Sequence, residues 1–231
     1  MALLRADEIK SGKTTKETHF KGGSYSSERK TLHNNIIKET LKGGVKEKVP
    51  VVIFMAGLGG SGKGTITSPI LKGLHLNGKI VIVDADEIKK KIPEYKNIKG
   101  VLRAAKTHDE SADIAKKIVT MAVNYKYNLL IDGTMKNIIK AKKIISQAKR
   151  KGYKTILRAT QLSTHKAMAR SVNRFKTEKE RHVPLAVIND MGIKVNKSIH
   201  KLKHEFDDYR VYDTDVPKGS KPILLEKGKK S

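Results

Sequence analysis

The stretch VVIFMAGLGGSGKGTITSP, Val51 to Pro69, sets five glycines behind a run of apolar residues. A short run of Val, Ile, Phe and Met bounded by glycine reads as a buried strand. Gly57-Leu58-Gly59-Gly60-Ser61-Gly62-Lys63 fits the spacing G-x-x-x-x-G-K, and a helix is predicted from about Gly64. Between a strand and a helix, such a turn lets successive backbone N–H groups point inward at phosphate oxygens. The helix N-terminus adds its positive end at the same place. Lys63 is the group to reach the β- and γ-phosphates and neutralise charge as a phosphoryl group moves. Gly57, Gly59, Gly60, Ser61, Gly62, Lys63, Gly64 and Thr65 thus form a predicted nucleoside triphosphate site. The loop hydroxyl comes one place later than in a G-K-[S/T] loop, at Thr65, a candidate Mg²⁺ ligand. Pro69 is placed to distort the second turn of the helix.

The composition bounds what surrounds this loop. A chain of 231 residues can bury a full core, and one α/β domain fits its length. With no cysteine, disulfide scaffolds, thiolate zinc sites and cysteine nucleophiles are excluded. No apolar run approaches the roughly 20 residues of a membrane span, and the N-terminus lacks a secretory apolar stretch. A soluble, cytoplasmic protein with no membrane partner is the expectation. Forty-nine Lys and Arg against 23 Asp and Glu give a net charge of +26. That excess predicts attraction to polyanions, nucleic acid or nucleotides among them. A lysine-rich bias spread over a solvated surface is the plainer account.

Along the chain, residues 1–25 read as a flexible basic arm and 26–213 as the folded domain. Residues 214–231 read as a loose lysine-rich tail. Inside the domain, apolar strands at 51–55, 80–83, 129–132 and 153–160 alternate with amphipathic helices, and YRVYD closes as a last short strand. That alternation predicts an α/β fold, a mostly parallel sheet with helices on both faces.

Ligands in such sheets bind beyond the carboxyl ends of the strands. Two apolar strands end in acid there: IVIVDAD with Asp84 and Asp86, and NLLIDGT with Asp132. Phosphoryl transfer uses one carboxylate to accept the acceptor hydroxyl's proton, and often another to organise Mg²⁺. Asp84 or Asp86 can be the base, and Asp132 can orient the metal or the substrate. Either acid can instead cap the helix that follows it. Between Asp132 and Glu178 there are 13 Lys and Arg and no acid. Arg174, and Arg181 just before Pro184, are candidate clamps on a transferring phosphoryl group.

Taken in order, these pieces resemble the zeta-toxin family of P-loop kinases over roughly residues 27–212. The resemblance runs through SSERKTLHNNII, the glycine loop, VDADEIKKKIPEY, HDESADIAKKI, YNLLIDGTMKN, KGYKTILRAT and NRFKTEKERHVP. The GKGT order itself looks like that of nucleoside monophosphate kinases. The family resemblance implies a P-loop kinase fold and a kinase that uses ATP, or GTP, with Mg²⁺. The acceptor it implies is a hydroxyl of a nucleotide sugar such as UDP-N-acetylglucosamine. It implies an antitoxin partner and assigns the base to Asp86, with Lys63 on the phosphates and Arg174 and Arg181 on the moving group. Asp132 and Thr134 would hold the acceptor, with Glu110 and Lys136 on the same side, Lys136 standing where relatives can have Arg. Two other readings compete. One is a nucleic-acid-directed kinase; the other is a non-catalytic protein on the same fold that binds nucleotide and DNA through its basic surface.

Overall fold

The computed structural model describes residues 12–98, 102–178, 185–217 and 219–230, apart from the side chains of 174, 175, 178 and 185–187. The described chain opens on α1 (Thr15–His19), a hairpin of β1 (Phe20–Lys21) and β2 (Ser24–Tyr25), and α2 (Ser27–Leu41). Then come β3 (Val51–Ala56), α3 (Lys63–Gly73), β4 (Val81–Asp84), α4 (Ala85–Lys90), α5 (Pro93–Asn97), α6 (Leu102–Lys106) and α7 (His108–Tyr125). The second half holds β5 (Leu129–Asp132), α8 (Ile138–Arg150), β6 (Lys154–Gln161), α9 (Thr164–Glu178), α10 (Leu185–Leu202), β7 (Asp208–Asp213) and β8 (Ile223–Lys229). Pro69 lies inside α3, which runs on to Gly73 despite the proline.

Six strands form one sheet in the order β4-β5-β3-β6-β7-β8, and every pairing is parallel except β7 with β8. The α/β class and mostly parallel sheet are as the sequence predicts. β3 sits in the middle because both its faces are apolar. Val52, Phe54 and Ala56 join the larger core cluster, while Ile53 and Met55 belong to the other face. All five are at most 3% exposed, which is why the strand reads as an unbroken apolar run. Ile66 and Leu71 of α3 cover one face. Ile114 and Ile118 of α7, Ile145 of α8 and Val195 and Ile199 of α10 contribute to the other. Phe206 meets Phe54 edge to face at 5.2 Å. From β3 the chain crosses to β4 on one side, and β6 lies on the other, so the sheet's switch point falls at the carboxyl end of β3.

Both expected loose ends are structured where they are described. Thr14 caps α1: its hydroxyl accepts from Glu17 N at 3.1 Å, and its own N–H donates to the Glu17 carboxylate at 2.7 Å. The segment is tied to α7, with Lys16 paired to Asp113 at 2.8 Å and the Tyr25 hydroxyl donating to Asp113 at 2.9 Å. The lysine-rich tail carries β8, an antiparallel edge strand held by Glu226, which accepts from Lys203 at 2.6 Å and from the Tyr209 hydroxyl at 3.0 Å. Among the described residues no helix is long and apolar enough to cross a membrane.

Candidate phosphate-binding site

The loop after β3 is packed so closely that its glycines are obligatory. Gly57 has φ +148°, and a Cβ there would stand 2.2 Å from Thr160 Oγ1. At Gly60, φ +83°, it would stand 2.6 Å from the Ala167 carbonyl oxygen. Both conformations and both contacts exclude a larger residue. Hydroxyls hold the loop from beneath: Ser61 Oγ donates to Leu58 O at 2.8 Å and shares a 2.7 Å hydrogen bond with Thr160 Oγ1. Thr214, just past β7, donates from Oγ1 to Ser61 O at 2.7 Å. Lys63 folds back across the turn, its Nζ donating to Gly57 O at 3.0 Å and Leu58 O at 3.1 Å. No acid occupies the first turn of α3, so the positive end of that helix faces the loop undiminished.

The strand ends bring the acids to the same edge. Asp84 and Asp132 are register partners on neighbouring parallel strands. Burial pushes the Asp132 carboxyl above its ordinary range; nearby Lys63 opposes this and the Asp84 charge adds to it. Asp84 caps α4, its Oδ1 accepting from Asp86 N at 2.8 Å, which is the capping role the sequence left open. Asp86, in the first turn of α4, accepts from Lys89 Nζ at 2.9 Å. After β5, Thr134 is half-buried and Lys136 is exposed, and the Lys136 N–H donates to Thr134 Oγ1 at 3.4 Å. Met135 between them holds a left-handed φ of +55°. Thr65 Oγ1 donates to Gly62 O at 2.6 Å.

Glu110 corrects the expectation of an acceptor-side acid. It is fully buried, with both oxygens engaged by the Arg29 guanidinium at 2.6 and 2.7 Å and His33 Nε2 at 2.6 Å. Arg29 also forks onto Glu94 at 2.9 and 2.8 Å. Burial alone would raise the Glu110 carboxyl, but these bonds outweigh it and hold it down to about 2. The group fastens α2 to α7 and is closed to a substrate. Arg181 lies outside the described residues, as does the side chain of Arg174 on α9.

The structure thus gathers Lys63, Asp84, Asp86 and Asp132 at one sheet edge. It also adds residues that sequence reasoning missed: Thr160, Thr214 and Lys89. Thr160 and Thr214 had one available signal, a polar residue at or just past the carboxyl end of a parallel strand. Lys89 had none beyond its place three residues after Asp86.

A glycine loop running from the central strand into a helix, at the switch point of a parallel sheet with acids on the adjoining strand ends, defines a P-loop nucleotide-binding fold. Within that class the chain belongs to the zeta toxin family, whose sequence model matches residues 34–220. It is 31% identical over 124 residues to the toxin PezT of Streptococcus pneumoniae, a match covering 52% of this chain and 48% of that protein, about half its length. Among solved structures it is similar to one from the PezAT chromosomal toxin–antitoxin system of S. pneumoniae. The TM-score is 0.68 at 22% identity, over 88% of this chain and 83% of that one. It is also similar to the AvrRxo1-ORF1:-ORF2 complex crystallised with ATP, with TM-score 0.73 at 15% identity over 94% and 76% of the two chains.

Two outcomes are expected. Thr214→Val removes the strap on Ser61 O and lowers ATP affinity about 5- to 10-fold by calorimetry, the worth of one buried hydrogen bond. Glu110→Gln leaves Arg29 and His33 short of a carboxylate and costs about 3 kcal/mol in denaturant unfolding. Because folding lowers this carboxyl from 4.5 to about 2, its contribution is present above pH 4.5 and is lost as the pH falls toward 2. The variant's stability should therefore depend less steeply on pH across that window.

Proposed function

We propose that the protein is a kinase that transfers the γ-phosphate of ATP to a hydroxyl of a nucleotide sugar, UDP-N-acetylglucosamine being the first acceptor to test. The observation that carries this reading is the convergence of the Lys63 ammonium on the glycine loop with Asp132, Asp84 and Asp86 at adjoining strand ends. The turn and the α3 N-terminus supply backbone donors to the phosphates. Lys63, now resting on two loop carbonyls, has its charge within a short swing of the same position. In the reaction the acceptor's hydroxyl oxygen bonds to the γ-phosphorus as the bond from phosphorus to the β,γ-bridging oxygen breaks. The hydroxyl proton passes to the Asp86 carboxylate and on to solvent, leaving ADP and a phosphate ester.

The residues present also fit a divalent cation. The Asp132 carboxyl is pushed up by burial and a neighbouring negative charge, a condition that a cation relieves. Thr65 spends its hydroxyl proton on Gly62 O, so its oxygen can serve as a lone-pair donor. Asp132 and Thr65 are the residues that would hold Mg²⁺. Bound there, it would supply charge neutralisation for the phosphates. Thr134 and Lys136 on the β5–α8 loop are the proposed acceptor contacts, and Arg174 and Arg181 the proposed clamps on the moving group. An antitoxin partner is part of the proposal, supported by the toxin–antitoxin system to which the PezAT neighbour belongs.

Binding and transfer should separate in two variants. Asp86→Asn is expected to keep ATP affinity within about twofold while transfer falls on the order of 100-fold or more. Lys63→Ala is expected to weaken both. Calorimetry for ATP alongside a radiolabel transfer assay to UDP-N-acetylglucosamine checks this, and unchanged transfer by Asp86→Asn would refute the assigned base.

A further inference from the structure

Helix α4 carries two lysine–acid pairs of identical spacing with different fates. Lys90 Nζ meets Glu87 at 2.8 Å on the open surface, with side chains 39% and 62% exposed. One residue earlier, Lys89 Nζ meets Asp86 at 2.9 Å, but the Lys89 side chain is only 8% exposed and that of Asp86 33%. An i,i+3 pair forms readily in solvent and gains little there. Burying the ammonium costs more than that gain, so neither spacing nor helix propensity accounts for Lys89. Surface packing alone would leave a lysine to extend its stem and keep its head in water. Here the head is buried against Asp86 in the first turn of the same helix.

We propose that Lys89 is a positioning residue for phosphoryl transfer, its buried ammonium holding the Asp86 carboxylate in one orientation toward the acceptor hydroxyl. The proposal rests on the reading of Asp86 as the base. A carboxylate on a short helix can rotate about two torsions, and a charge-assisted bond at 2.9 Å removes most of that freedom. The charged groups around Lys89 come from three elements: Asp86 on its own helix, Asp84 at the end of β4 and His108 at the start of α7. Lys136 and Lys140 approach His108 from the β5–α8 side. Burial brings the Lys89 ammonium down to about 8, with Asp84 working against that, so it remains charged at neutral pH.

The test compares Lys89→Met, which keeps the buried stem, with Lys89→Arg, which keeps the charge, and with Lys90→Met as the surface control. ATP affinity and thermal unfolding establish that each variant is folded and loaded. Lys89→Met is expected to bind ATP within about twofold of wild type and to lose on the order of 10- to 100-fold in kcat toward UDP-N-acetylglucosamine, with KM little changed. Lys89→Arg should recover part of the rate, and Lys90→Met should match wild type.

A second readout needs no acceptor. The carboxyl carbon of Asp86, assigned by its loss in Asp86→Asn, is titrated by ¹³C NMR. Its midpoint should rise by about one pH unit in Lys89→Met, because an opposite charge has been removed. If wild type transfers nothing to the sugar nucleotide but the midpoint still rises, the acceptor reading falls and the Lys89–Asp86 coupling stands. A Lys89→Met protein that matches Lys90→Met in kcat and in the Asp86 midpoint overturns the proposal.

Discussion

The molecule depends on one constraint, the burial of β3 on both faces at the point where the sheet's connections reverse direction. At the strand's carboxyl end the chain has no room for a side chain at Gly57 or Gly60. Gly57 lies against Thr160 and Gly60 against the Ala167 carbonyl, so the backbone curls there through positive φ angles that only glycine takes readily. The hydroxyls of Ser61, Thr160 and Thr214 then fix the curl from β6 and from the segment after β7.

Charge is arranged around that edge by the same geometry. Parallel register sets Asp84 beside Asp132, whose carboxyl is raised by burial first and by the Asp84 charge besides, with Lys63 opposing both. α4 begins on the Asp84 cap and immediately offers Asp86, tethered to a lysine with almost no exposure. A second ion cluster, Arg29 with Glu94, Glu110 and His33, lies apart from this chemistry and pins α2 to α7. One buried lysine is thus paired with an acid beside the glycine loop, and one buried arginine holds two helices together. Solvent access separates the two clusters: the Asp86 side chain is 33% exposed and Glu110 is fully buried.

What could be read from the sequence follows from how local each signal is. The parallel strands were legible because a strand buried on both faces is a continuous apolar run, as in Val51–Met55. The glycine loop was legible because its spacing is dictated by phosphate geometry. Asp84, Asp86 and Asp132 could be placed by their position after apolar runs, though the capping role of Asp84 required the hydrogen bond that Asp86 N donates to it. β8 was hidden because its residues lie on an edge, with Ile223, Leu224 and Leu225 half-exposed among lysines. α1 and the β1–β2 hairpin were hidden because their anchors, Asp113 and Glu94, lie far along the chain. Glu110 was misplaced for the same reason: its partners Arg29 and His33 precede it by 81 and 77 residues.

The central claim is that this edge moves the terminal phosphate of ATP onto a small-molecule hydroxyl. The most direct measurement follows ¹⁸O-labelled γ-phosphate from Mg·ATP into a mixed pool of nucleotide sugars, nucleosides and DNA, with mass spectrometry of every fraction. The account predicts label in an ester of a nucleotide sugar, dependent on the intact chain and on Mg²⁺. Label confined to nucleic acid would contradict the acceptor class and bring the +26 charge into the mechanism. ATP bound with no label transferred to any fraction would contradict the claim itself.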